Sequence, residues 1–137
     1  MGEKGQSLVE FAISLVVILI LLAGAVEFGI GLFQLIQMND AAQEGAIYGS
    51  ICQDVQKIED RVRHASSSPL DLQNESVVVL IDFVDTYNNL VSYSDVRGGV
   101  RVRVQYTHKV FMPFFAGREI LLKSEVTNTI LSEGNCR

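Results

Sequence analysis

The chain has little of what most site chemistry requires. Its 137 residues include two histidines, two cysteines, two prolines and no tryptophan. His64 and His108 stand at no metal-ligand spacing, and each reads as a surface residue. No serine sits in a nucleophile-elbow pattern, and no glycine-rich phosphate loop is present. The sequence therefore predicts no enzyme, no metal, no cofactor and no small-molecule substrate. Cations are also scarce, with 11 Lys and Arg against 16 Asp and Glu and a net charge of −5. Without a basic cluster, nucleic acid is excluded as a partner. Proline is absent before Pro69, so no proline interrupts a helix in the first half of the chain.

What is present is one long apolar run. Phe11 to Val26, "FAISLVVILILLAGAV", carries no charge and raises the mean hydropathy to +0.26. From Leu8 to Phe33 a helix would be about 39 Å long, enough to cross a hydrocarbon core of about 30 Å with some tilt. Only Glu10 and Glu27 interrupt it. Lys4 precedes the run, and the next cation is Lys57. The positive-inside rule then places the N-terminus in the cytoplasm and the C-terminal part outside, by a margin of one lysine.

Three readings fit such a segment. It is a signal peptide cut after the A-x-A pattern Ala23–Ala25, an uncleaved anchor, or a segment whose charged residue has a use. Against the first, "FGIGLFQLI" would be an odd N-terminus for a secreted domain. For the third, "GQSLVEF" resembles the prepilin processing motif: Gly5, four residues, then Glu10 followed by an aromatic. The longer stretch "GQSLVEFAISLVVILILLAGAVEFG" and the later "MNDAAQEGAIYGS" resemble the TadE-like pseudopilins of tight-adherence pilus systems. These two blocks cover roughly the first 50 residues, and together they are specific. Beyond them the chain fits in length and strand pattern only, and its domain is longer than the short major pilin of such systems.

The resemblance implies a set of roles. Residues 1–5 are a leader that a prepilin peptidase removes between Gly5 and Gln6. Residues 6–33 span the membrane, and residues 34–137 form an exported pilin-like domain. The partners are the membrane, the peptidase and other pilin or pseudopilin subunits. Cleavage exposes the α-amine of Gln6, which in a filament pairs with the Glu10 carboxylate of a neighbouring subunit. A carboxylate at a membrane boundary wants such a counter-charge, or else water at headgroup level. Glu27 lies about 25 Å further along the helix, near the outer interface. It reads there as a water-facing residue at the membrane edge, with contact to a partner helix as the alternative.

Beyond the membrane the helix is expected to continue. Phe28, Leu32, Leu35, Ala42, Ala46 and Gly49 recur at helical spacing, while Gln37, Asp40 and Glu44 fall on another face. The small residues Ala41, Ala42, Gly45, Ala46 and Gly49 allow close backbone approach. They mark either the seat of the chain's own sheet or a contact with a neighbour.

The remaining chain reads as a small α+β domain. Val55, Ile58, Val62 and Ala65 define a short amphipathic helix, with Glu59–Arg63 and Asp60–His64 pairs on its wet face. "SVVVLIDF" reads as a central strand, "GVRVRVQYTHKVF" alternates cleanly, and "EILLKSEVTNTIL" is a third run. "LVSYSDV" is a weak edge segment expected to hairpin with the alternating strand. The product is an antiparallel sheet of three to four strands packed on the long helix. Asp82, Asp85, Asn88, Asn89 and Asp95 gather around a turn, which favours those residue types without any cation. "FMPFFAG", Phe111 to Gly117, is either an exposed apolar loop or a cover for the core edge. In an exported chain Cys52 and Cys136 would tie the C-terminus to the start of the domain if they meet. Otherwise they are unrelated thiols.

Function is expected to follow from the helix. The leading reading is a minor pseudopilin acting in pilus assembly from the inner membrane. The alternative is a secreted or anchored binding domain that never enters a filament.

Overall fold

The computed structural model describes residues 3–91, 98–112, 117–131 and 136, with side chains from residue 5 onward. Six elements follow in order: α1 (Glu3–Gly49), α2 (Val55–His64), β1 (Val77–Val84), β2 (Leu90–Val91), β3 (Gly99–Lys109) and β4 (Glu119–Thr129). The fold is α+β, as the sequence pattern predicts.

Helix α1 has 47 residues and is therefore about 70 Å long. Its first half is exposed on every face, and that stretch is long and apolar enough to cross a membrane. From Gln34 onward one stripe turns inward: Gln34, Gln37, Met38, Ala41, Ala42, Gly45, Ala46 and Gly49 are all buried. The helix stops beyond Gly49 in a tight turn. The Ser50 N–H reaches the Ala46 carbonyl at 3.0 Å, and the Cys52 N–H reaches that of Tyr48 at 2.9 Å. Asp54 then caps α2, its carboxylate accepting the N–H groups of Gln56 and Lys57 at 3.1 and 3.4 Å. Arg61, Arg63 and His64 in the last turn of α2 suit its negative dipole end.

The sheet order is β2-β1-β3-β4, antiparallel throughout. Val100, Val102 and Val104 of β3 are fully buried and face α1, with Ile58 and Val62 of α2 closing the side. Burial of each such side chain contributes about 1.5–3 kcal/mol. The opposite face of the sheet is wet. There Arg103 pairs with Asp82 on β1, and Glu125 on β4 lies 3.5 Å from Arg101 and 3.9 Å from Arg103. The Cys52–Cys136 disulfide links the turn after α1 to the chain's C-terminal end.

Several expectations change. Gln37 belongs to the buried stripe and not to the polar face. Its amide reaches Ser66 Oγ, the Ser68 carbonyl at 3.0 Å and the Leu70 carbonyl at 3.2 Å, and its Oε1 accepts the Leu70 N–H at 3.1 Å. The loop after α2 has no ladder of its own, so a side chain supplies its partners. Phe28 and Leu32 stay exposed, at 73% and 47%, because the sheet meets that part of the helix along Gly24 and Glu27 instead. Val55 is also largely exposed. Leu90–Val91 pairs with β1 and not with β3: a short turn returns the chain directly onto its preceding strand. That turn is held by Asp85, with Asn88 in the left-handed region at φ 68°. Ser92 to Val96 of the edge segment, Asp95 among them, and the Pro113 to Ala116 part of the phenylalanine-rich stretch lie outside the described residues.

Candidate functional site

Two regions carry the residues of interest, one at each end of the apolar run. At the N-terminal end, α1 begins before Gly5, so Gly5, Gln6 and Glu10 share one continuous helix. A Cβ placed on Gly5 would meet nothing within 4 Å, so the residue is open on its side-chain side. Gln6 Nε2 donates to Glu10 Oε1 at 3.4 Å across one helical turn. Both side chains are exposed, and this is the one hydrogen bond to the Glu10 carboxylate among the described residues. The backbone nitrogen of Gln6 here is a peptide amide. It becomes a cation only if the Gly5–Gln6 bond is cut.

At the other end Glu27 is not a free acid. Its Oε1 lies 2.9 Å from His108 Nε2 and accepts the Phe111 N–H at 3.0 Å. The Glu27 side chain is 15% exposed and that of His108 is 11% exposed. This corrects two expectations: Glu27 does not face water, and His108 is not a surface residue. Even alternation places His108 on the inner face of β3 with Val102, Val104 and Tyr106. The signal was in the sequence, since the fourth inward position after Val100 is His108, but its partner lies 81 positions away in the chain.

The small-residue stripe is occupied by the chain's own domain. A Cβ on Gly45 would overlap the Val62 Cγ2 methyl of α2. One on Gly49 would come within 3.0 Å of Ile58 Cδ1 and of Val100 Cγ2. Ala42 and Ala46 are fully buried in the same core. Close approach is thus used between α1, α2 and β3.

A long apolar helix carrying a small α+β domain at its far end is compatible with a protein anchored in a membrane by a single pass. Among such proteins the match is particular: residues 5–46 fit the family model described as TadE-like protein. The match begins at Gly5 and ends at Ala46 inside the buried stripe, leaving α2 and the sheet uncovered. Comparison with curated proteins and with solved structures found no match. The TadE-like family is a structural, pilus-related one, and the long apolar helix fits a membrane-anchored protein of a tight-adherence system.

Proposed function

We propose that this chain is a minor pseudopilin, anchored by a single pass in the inner membrane with its α+β domain outside the cytoplasm. The observation that supports this most is the position of "GQSLVEF" at the start of the TadE-like match, on a helix that runs unbroken from there into the domain. A prepilin peptidase cuts between Gly5 and Gln6. The new α-amine of Gln6 then pairs with the Glu10 carboxylate of an adjacent subunit, in a low-dielectric setting where such a pair is strong. Because Ala42, Gly45, Ala46 and Gly49 are taken up by the chain's own core, subunit packing falls to residues 6–33. Catalysis has no part in this mechanism.

The test is the mass of the chain recovered from a host that carries the peptidase. Loss of residues 1–5 is expected. Loss of residues 1–25 would mean a secreted domain, and an intact chain would mean an anchored accessory protein. Glu10→Ala should still insert and still be cut, but fail to enter a filament. Normal assembly by that variant would refute the ion pair.

A further inference from the structure

The end of the β3–β4 hairpin reaches back along α1 toward the apolar run. The depth it reaches can be worked out. A hydrocarbon core of about 30 Å takes roughly 20 helical residues. Counted from Leu8, the first apolar residue after the processing motif, such a span closes near Glu27. Gly24 then lies roughly 4–5 Å inside the boundary. Met112 packs at this level: a Cβ on Gly24 would be 3.8 Å from both its Sδ and its Cε. Phe111, next to it, is 89% exposed.

The polar groups at this level support the same placement. Glu27 would be costly beside lipid with an unpaired carboxylate. Here it is shielded and receives His108 Nε2 and the Phe111 N–H, both from the hairpin itself. The nearest charged residues are Lys109 at the end of β3, Arg118 just before β4, and Glu119, which lies opposite Lys109 in the register; all three are exposed, and beyond the strand ends the Val110 N–H donates to the Arg118 carbonyl at 3.0 Å. Two cations against one acid leave a net positive charge beside Phe111 and Met112, which suits an anionic headgroup layer.

We infer that the β3–β4 hairpin end is a second membrane contact. Phe111 and Met112 seat in the fringe of the leaflet on the domain's side, beside α1, and the Glu27–His108–Phe111 link sets their depth. The domain is thereby held at a fixed height and rotation over the bilayer before any subunit contact. The inference rests on α1 crossing the membrane, as proposed above.

The absence of tryptophan makes the test direct. Three full-length variants each carry one tryptophan: Phe111→Trp, Leu15→Trp in the span, and Tyr87→Trp on the exposed β1–β2 turn. Each is reconstituted into phosphatidylcholine–phosphatidylglycerol vesicles containing lipid brominated either near the headgroup or near the acyl terminus. Phe111→Trp should emit to the blue of Tyr87→Trp and lose more intensity to the shallow bromine than to the deep one. Leu15→Trp should be quenched most by the deep bromine, and Tyr87→Trp by neither. A water-like, unquenched Phe111→Trp beside a quenched Leu15→Trp overturns the hairpin contact and leaves the span standing. An unquenched Leu15→Trp overturns the span as well. A blue-shifted Phe111→Trp that bromine does not quench, and whose shift disappears on dilution in lipid, assigns the tip to a second protein chain and also overturns the inference.

Discussion

Replacing Gly45 by alanine sets two effects against each other. In a helix interior alanine is favoured over glycine by about 1 kcal/mol. Against this, the new methyl would overlap Val62 Cγ2, and Val62 is fully buried. Carbon atoms settle at about 3.5–4.0 Å, so Val62 must move or α2 must lift. A β-branched side chain in a helix has one strongly preferred rotamer, which leaves little room to turn. An overlap with a fully buried methyl falls in the upper part of the overpacking range, about 2–3 kcal/mol, so after the alanine gain of about 1 kcal/mol the net loss is about 1–2 kcal/mol. For a domain of this size that is a fall in Tm of roughly 5–10 °C. The near-UV dichroism of the tyrosines, recorded on the full chain in detergent micelles, follows the domain and not the apolar helix. Gly49→Ala, whose methyl would have contacts at 3.0–3.1 Å and not an overlap, should cost less. Gly31→Ala, with open space around it, should cost nothing. Val62→Ala alone should cost about 2 kcal/mol. The Gly45→Ala, Val62→Ala double variant should be more stable than the sum of the two losses predicts. If Gly45→Ala keeps or raises Tm, or the double variant is merely additive, the stripe does not serve the chain's own core and the argument fails.

Three further outcomes are expected. Replacing Cys52 and Cys136 together by alanine releases a closure spanning 84 positions, which should cost about 2–5 kcal/mol in denaturant titration and make the domain indifferent to reductant. Gln37→Leu strands the buried Leu70 N–H and should lower the denaturant midpoint by an amount worth about 1–3 kcal/mol, with the apolar helix unchanged by far-UV dichroism. Hydrogen bonds from the side chain and backbone of Asn89, and from the Tyr87 N–H, hold the Asp85 carboxyl below the usual carboxylate range. Its stabilising effect is therefore present above that range and lost as pH falls through the depressed value. Melts of the native chain and Asp85→Ala should accordingly differ most near about pH 7 and draw together only as the pH falls well below the ordinary aspartate range of about 4.

Some features were legible in the residues because local rules settle them. Sixteen positions without charge from Phe11 to Val26 announce a membrane-grade helix, and no proline interrupts it. Strict alternation from Val100 to Tyr106 fixes a strand and its inner face, because a two-residue period admits one assignment. The Gly5–Glu10 spacing and the TadE-like blocks were likewise visible, since a motif is a matter of sequence alone. The burial of Gln37 and the partner of Glu27 were not. A glutamine between polar neighbours looks wet until a loop arrives with unpaired backbone groups. An acid at a membrane edge looks water-facing until a hairpin closes on it from 81 positions away. The pairing of Leu90–Val91 with β1 was decided by turn geometry at Asp85 and Asn88, which hydrophobic pattern does not encode.

The sequence by itself determined the apolar helix, the TadE-like resemblance, the strands and the class of fold, because each depends on neighbours within one or two helical turns or on period. Tertiary structure alone decided what the small-residue stripe touches, whether Cys52 meets Cys136, and that Glu27 belongs to the domain and not to water. Each of these depends on two segments far apart in the chain meeting in one place. Composition gives the capacity for such a contact, but only packing selects the partner.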